Sequence, residues 1–199
     1  MGTETEYKLA VRDEALLARV LDSAQIAAYR QEPYRSIQMR TTYFDTADGF
    51  FAARKGMLRL RMENGRCVAT MKTPGDGHTR GEWECAADTL AQALPRLVAL
   101  GAPQAIGTLD PAGLRPVCGA EFTRRTARLR LPDGTACMVC GDAGRLTGGG
   151  REAPLCELEL ELAEGSQAAL GAFVQTLQAA YDLREQTQSK LRRARALAE

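Results

Sequence analysis

Charged residues recur at every second position in several separate segments, and this two-residue period is what most narrows the fold. In an extended strand, side chains two apart point the same way. Glu4, Glu6 and Lys8 therefore share one face, with Thr5, Tyr7 and Leu9 on the other. Arg59 and Arg61 alternate with Leu58, Leu60 and Met62, and Arg80, Glu82 and Glu84 with Trp83 and Cys85. Glu157, Glu159 and Glu161 alternate with Leu158, Leu160 and Leu162, and the run 68–72 ends on Lys72. Several strands, each with one charged face of mixed sign, describe a charged surface that faces something.

Strands are expected at about 3–12, 36–45, 57–63, 66–73, 80–86, 117–131, 135–142 and 154–163. Glu63, Asn64, Gly65 and Arg66 have the composition of a tight hairpin. Asp13 opens an amphipathic helix running to Leu21, with a short second helix near 23–30. Residues 88–101 read as a helix broken or kinked at Pro95, and 166–181 as another. The segment 103–116 holds three prolines and reads as a connector; Ser189, Lys190, Leu191, Arg192 and Arg193 read as a basic tail. With 199 residues and no linker or repeat, the expectation is a single domain, 1–199, of α+β class: antiparallel β with helices in its connections and at its end.

Composition removes several functions. A formal net charge of +1 gives no general attraction for nucleic acid or an anionic membrane. No apolar run reaches the roughly 18 residues that span a bilayer. The acidic, polar N-terminus does not look like a secretory signal, so a cytoplasmic location is expected. The six cysteines then read as reduced, mostly buried side chains. Cys137 and Cys140 form a lone Cys-x-x-Cys, and His78 is the single histidine, which disfavours zinc and histidine-based chemistry.

A sheet with one solvated face would also alternate. Two features favour an inward charged face. The opposing faces carry strips of Leu, Met and Trp that flanking helices could cover, and a barrel so covered can direct its polar faces into a lumen. The charges are also segregated by strand: Arg59 and Arg61 are cationic neighbours, and Glu157, Glu159 and Glu161 anionic ones. Like charges repel, so each cluster calls for counter-charge from outside its strand. A polyphosphate with its divalent metal satisfies both, since arginine forks and ammonium groups bind phosphate and hard cations bind carboxylates. There is no Walker P-loop.

Glu4-x-Glu6-x-Lys8 resembles the opening signature of CYTH domains, the triphosphate tunnel metalloenzymes. Later motifs follow in family order: Tyr43 to Thr46, Leu58 to Arg61, Met71 to Thr73, Arg80 to Glu84, Phe122 to Arg125, Asp142-x-Gly144, Glu157 to Glu161, and Ser189-Lys190. The resemblance covers essentially the whole chain. It implies an eight-stranded antiparallel β-barrel, a tunnel open at both ends, with a charged lumen and helices packed outside. It also implies a Mg²⁺- or Mn²⁺-dependent enzyme. Lys8, Arg59, Arg61, Lys72, Arg124 and Lys190 would bind triphosphate, with Arg40 and Arg80 as further candidates and Arg125 as a one-residue rival to Arg124. Glu4, Glu6, Asp142, Glu157, Glu159 and Glu161 would hold metal or position water, and Glu82 and Glu84 could join either group. Glu4 or Glu6 would orient the attacking water or accept its proton, and Lys8 would complete the catalytic signature. For Tyr43 to Thr46 a structural role at a strand end is favoured.

Inorganic triphosphate is the expected substrate, because the chain resembles bacterial triphosphatase domains that precede a helical CHAD domain, most clearly around Pro154 to Leu162. No CHAD domain is expected within these residues. Thiamine triphosphatase and class IV adenylyl cyclase are the enzymatic alternatives, and a polyphosphate- or nucleotide-binding module the non-enzymatic one. Expected partners are a small-molecule triphosphate, no nucleic acid and no membrane, with the protein a monomer or homodimer.

Overall fold

One strand closes the sheet. The computed structural model describes residues 2–199. Its strands are β1 (Gly2–Ala10), β2 (Arg35–Asp45), β3 (Met57–Glu63), β4 (Arg66–Lys72), β5 (Thr79–Ala86), β6 (Arg115–Arg130), β7 (Ala136–Gly148), β8 (Arg151–Glu164) and the two-residue β9 (Arg184–Glu185). Their order is β5-β4-β3-β2-β6-β7-β8-β1-β9 with an additional β5–β1 pairing. Gly2 to Thr5 of β1 pair with β5, and Glu6 to Ala10 pair with β8, so β1 joins both edges into a closed eight-stranded antiparallel barrel. Closure leaves no bare edge apart from the short β9 addition, which pairs with Leu9 and Ala10.

The helices are α1 (Glu14–Leu21), α2 (Ala24–Ala27), α3 (Phe50–Ala53), α4 (Leu90–Ala99), α5 (Gln167–Tyr181) and α6 (Lys190–Ala196). Asp13 caps α1 by accepting from the Leu16 backbone N–H at 2.7 Å. Helices α1 and α5 share one apolar cluster with Leu9, Leu158 and Leu160, while α4 shares another with Leu58, Ala69, Met71 and Trp83. These are the apolar halves of the alternating strands. Covering them from outside turns the charged halves into the lumen. At Gly141 an added Cβ would lie 2.6 Å from a Leu21 methyl, so the absence of a side chain lets α1 approach β7. The expected β3–β4 hairpin forms with Asn64 at φ 47° and Gly65 at φ 90°.

Three local expectations are corrected. Pro95 neither breaks nor ends α4: Leu90, Ala93, Leu94 and Leu97 are buried, while Pro95 and Ala91 face solvent, where the freed Ala91 carbonyl can be hydrated. The connector contains two 3₁₀ turns, Gln104–Thr108 and Pro111–Gly113. The basic tail is the helix α6, capped by Ser189. Ala194, with Leu191 and Leu197, packs on lumen-side residues Met39, Tyr43, Cys118, Phe122, Leu146 and Leu155. Helix α6 thus closes the β2–β6–β7–β8 side of one barrel end, narrowing a tunnel expected to be open at both. Asp45 ties this end together, accepting from Phe51 and Ala52 backbone N–H groups at 2.8 and 3.1 Å and from Arg195 at 3.1 Å.

Candidate active site in the lumen

The lumen holds a cavity of about 560 Å³. In the closed strand order β3 lies four strands from β8 in either direction, so Arg59 and Arg61 stand across the lumen from Glu157, Glu159 and Glu161. The β3 arginines are buried, 8% and 5% exposed. Their Nε atoms donate to the hydroxyls of Thr70 and Thr41, each at 3.1 Å. Carboxylates approach them only loosely: Glu84 at 3.5 Å and Glu82 at 4.0 Å from Arg59, and Glu63 at 3.7 Å from Arg61. Burial, then the positive charges of Arg59 and Arg124, push the Arg61 guanidinium down to about 10. This wall carries more positive charge than its surroundings answer.

The carboxylates form two triads, each with ligand oxygens within 4.8 Å of one another: Glu4, Glu82 and Glu161, and Asp142, Glu157 and Glu159. In the first, Lys72 reaches Glu4 at 2.5 Å and Glu82 at 3.0 Å, and Arg80 reaches Glu4 at 2.6 Å. Burial of Glu4 would raise its pKa, but these two cations outweigh it and hold the carboxyl at about 2. Glu161 has no ion pair among the described residues; burial, then Glu4 and Glu82, push it up to about 7. In the second triad, Lys190 at the first turn of α6 touches all three carboxylates, lying 2.7 Å from Asp142 and 2.9 Å from Glu159. Arg124 adds bonds of 2.7 Å to each oxygen of Asp142 and 2.5 Å to Glu159. Burial favours neutral Asp142, yet Arg124 and Lys190 keep it below the usual carboxylate range, and Glu159 is likewise held low.

All-oxygen triads suit a hard divalent cation. The first fits better: Lys72 pairs with Glu4 and Glu82 but leaves Glu161 without a counter-charge, whereas Lys190 touches all three carboxylates of the second.

Most of the expected residues meet in this lumen, with rearrangements. Glu6 belongs to neither triad; it pairs with Lys8 at 2.9 Å and with Arg80. Glu82 takes its place in the first triad, and Glu84, more exposed, accepts from Thr70 at 2.8 Å. Lys8 also stands 3.8 Å from Glu159. Arg40 and Arg125 do not reach the lumen. Arg40 is exposed on the outer face, since the residues of β2 that line the cavity are the odd-numbered Ile37, Met39 and Tyr43. Arg125 lies outside as well, bonded to Asp22 at 3.0 Å and stacked 4.7 Å from the Tyr34 ring. Thr41, Thr70 and Arg193, whose guanidinium meets buried Glu157, escaped the sequence reading. Cross-strand position relative to Arg59 and Arg61 was the available signal for the threonines; nothing in the basic tail singled out Arg193. Trp83 packs outward with α4, as its alternation implied.

Residues 2–194 match the CYTH domain family. The chain belongs to the CYTH family. It is 26% identical over 197 residues to the inorganic triphosphatase of Haemophilus influenzae, covering 97% of this chain and 54% of that protein. The chain thus spans about half the length of this curated relative. Among solved structures, a Hippeastrum protein studied as a candidate adenylyl cyclase, with a dominant triphosphatase activity, superposes with a TM-score of 0.62 at 17% identity, over 97% of this chain and 95% of the other. A candidate adenylate cyclase from Bacillus halodurans gives 0.62 at 18% identity, over 97% and 98%. At these identities the structural likeness speaks for the fold. No helix of the described residues is long and apolar enough to cross a membrane.

Proposed function

We propose that this CYTH domain hydrolyses inorganic triphosphate to pyrophosphate and phosphate with a divalent metal, Mg²⁺ or Mn²⁺. The carrying observation is two weakly answered charges in one lumen: the Arg59–Arg61 wall, whose nearest carboxylates lie 3.5–4.0 Å away, and Glu161 of the Glu4–Glu82–Glu161 triad, which has no ion pair among the described residues. A phosphate chain with its metal supplies both. The triphosphatase name of the Haemophilus relative agrees with this reading. Among cavity-lining residues only Tyr43 and His78 carry aromatic rings, which favours a bare phosphate chain over one bearing a nucleoside or thiamine.

Phosphoryl transfer needs positioning and stabilisation of charge on the transferred group more than covalent help from the protein. Arg59, Arg61 and Lys72 would hold the phosphate oxygens, with Lys8 and Arg80 redirected from Glu6 as the anion enters. Glu4, Glu82 and Glu161 would hold the divalent ion, which when bound neutralises phosphate charge and polarises oxygen. Glu6, outside both triads, is the carboxylate assigned to orienting the attacking water. Phosphate release from inorganic triphosphate, thiamine triphosphate and ATP, each with Mg²⁺, Mn²⁺ or chelator, tests the reading. Metal-dependent release from inorganic triphosphate in preference to the others is expected. Release that survives chelation would remove the metal, and a preference for ATP would move the protein toward nucleotide chemistry.

A further inference from the structure

Four arginines reach the lumen, and the acceptor at Nε separates them into two kinds. Arg80 gives its Nε–H to Glu4 at 2.6 Å and Arg124 gives its own to Asp142 at 2.7 Å. Arg59 and Arg61 instead give theirs to the hydroxyls of Thr70 and Thr41, at 3.1 Å each. The register makes this systematic: Thr70 of β4 is the direct cross-strand partner of Arg59, and Thr41 of β2 is that of Arg61. One arginine is held from each side of β3. Both threonines are buried, 0% and 2% exposed, and neither lines the cavity.

A buried Nε–H left without an acceptor would be costly. A carboxylate there would satisfy it and at the same time neutralise the guanidinium and compete with phosphate. A hydroxyl satisfies it with a neutral dipole and leaves the charge in place. With Nε fixed, the plane of the guanidinium is fixed; the terminal amino groups of Arg61 make no hydrogen bond among the described residues and Arg59 makes one long one, to Glu84 at 3.5 Å, which leaves them for bidentate bonds to phosphate oxygens. We propose that Thr41 and Thr70 are positioning residues that hold Arg61 and Arg59 ready for a phosphate chain. By the same logic Arg124 chiefly orders its acidic triad, and Arg80, tied to Glu4 through Nε, keeps only its terminal amino groups for the incoming anion. The assignment rests on the triphosphate reading above but adds residues that touch no substrate. The two threonines differ in one respect. Thr70 donates onward to Glu84 at 2.8 Å, whereas Thr41 has no second bond among the described residues, so Thr41 gives the cleaner test.

Thr41→Val keeps a β-branched side chain and deletes the hydroxyl; Thr41→Ser keeps the hydroxyl; Thr70→Val and Thr70→Ser repeat the pair. Binding of inorganic triphosphate is measured calorimetrically in chelator, so that turnover does not intervene, alongside melting temperature. The exchange rate of the Arg61 and Arg59 Nε–H protons is read by NMR on the ligand-free protein. Each valine variant is expected to bind triphosphate about tenfold more weakly, with its serine counterpart within about twofold of wild type. In each valine variant the Nε–H of the partnered arginine should exchange faster. Valine variants that fold and bind like wild type overturn the proposal, as does Nε–H exchange unchanged by both valines. Serine and valine variants equally impaired would reduce the threonines to packing. A wild-type protein that binds no triphosphate overturns instead the functional reading beneath, which the exchange measurement does not depend on.

Discussion

Two walls of the same lumen, both buried and both carrying arginine, have opposite electrostatic states. On β3 the guanidinium groups rest on hydroxyls, and Arg61 is driven down by burial and by Arg59 and Arg124. On the wall built by β6, β7, β8 and α6, burial would likewise disfavour the charge of Lys190, but Asp142, Glu159 and Glu157 overcome it and drive its pKa up. Arg124 is raised for the same reason, with Asp142 the leading carboxylate. A cation in a cavity is therefore not by itself a ligand-binding cation. What decides is whether the chain has already supplied its counter-charge. The β3 wall has only carboxylates 3.5–4.0 Å away, while the second acidic triad is already knitted to α6 by Lys190 and Arg193.

The largest effect should come from breaking the satisfied wall. Arg124→Ala leaves Asp142 and Glu159 in a buried site with one cation fewer, and should lower unfolding free energy by about 3–5 kcal/mol in urea titrations. Arg61→Ala should do the reverse: stability within about 1 kcal/mol of wild type, because a buried and poorly compensated charge has been removed. Its kcat/KM for triphosphate should fall by about 100-fold, the loss of two charge-assisted hydrogen bonds. If Arg61→Ala destabilises as much as Arg124→Ala, the two walls do not differ in the way described.

A smaller effect distinguishes the two triads by pH. Burial, then the neighbouring Glu4 and Glu82, push the Glu161 carboxyl from its ordinary 4.5 up to about 7. The folded state therefore binds its proton more readily than the unfolded state, and the stability this gives is full below about 4.5 and lost as pH rises through 7. In chelator, the melting temperature should fall across that window, and Glu161→Gln should flatten the slope. Added Mg²⁺ or Mn²⁺ should restore stability above pH 7 in wild type and less in the variant. Glu159 has the opposite sign. Burial would raise it, but Lys190, Arg124 and Lys8 hold it low, so its contribution persists at neutral pH and is lost only on acidification. A slope unaffected by Glu161→Gln would place the titration elsewhere.

How much of this could be read in the sequence depended on which side of each strand met a helix. On β1, β3, β5 and β8 the outer face is apolar and the lumen face charged, so two-residue alternation located Glu4, Arg59, Glu82 and Glu159 together. On β2 the polarity reverses. Its lumen side carries Met39 and Tyr43, which pack into the cluster under α6, and its outer side leaves Gln38 and Arg40 exposed. The same alternation rule then points the charge the wrong way. Helix α6 was itself hidden, because only Leu191, Ala194 and Leu197 of this short basic stretch face the barrel. The exchange of Glu6 for Glu82 in the first triad was also out of reach. It depends on β1 leaving β5 after Thr5 and continuing along β8, a matter of stagger rather than composition.

The smallest expected effects follow from that reversal. Arg40→Ala and Arg125→Ala should each leave kcat/KM for triphosphate within about twofold of wild type. Arg125 loses an ion pair whose side chains are 35% and 59% exposed, and such pairs contribute about 0–1 kcal/mol. Arg40 is flanked in β2 by Met39 and Thr41, which belong to the lumen side, so the two predictions are locked together by register. A slip of one residue would bring Arg40 inside and carry Thr41 out, away from Arg61. A large loss of activity in Arg40→Ala would therefore count against the Thr41–Arg61 bond as much as against the outward placement of Arg40, and Thr41→Val would then be silent.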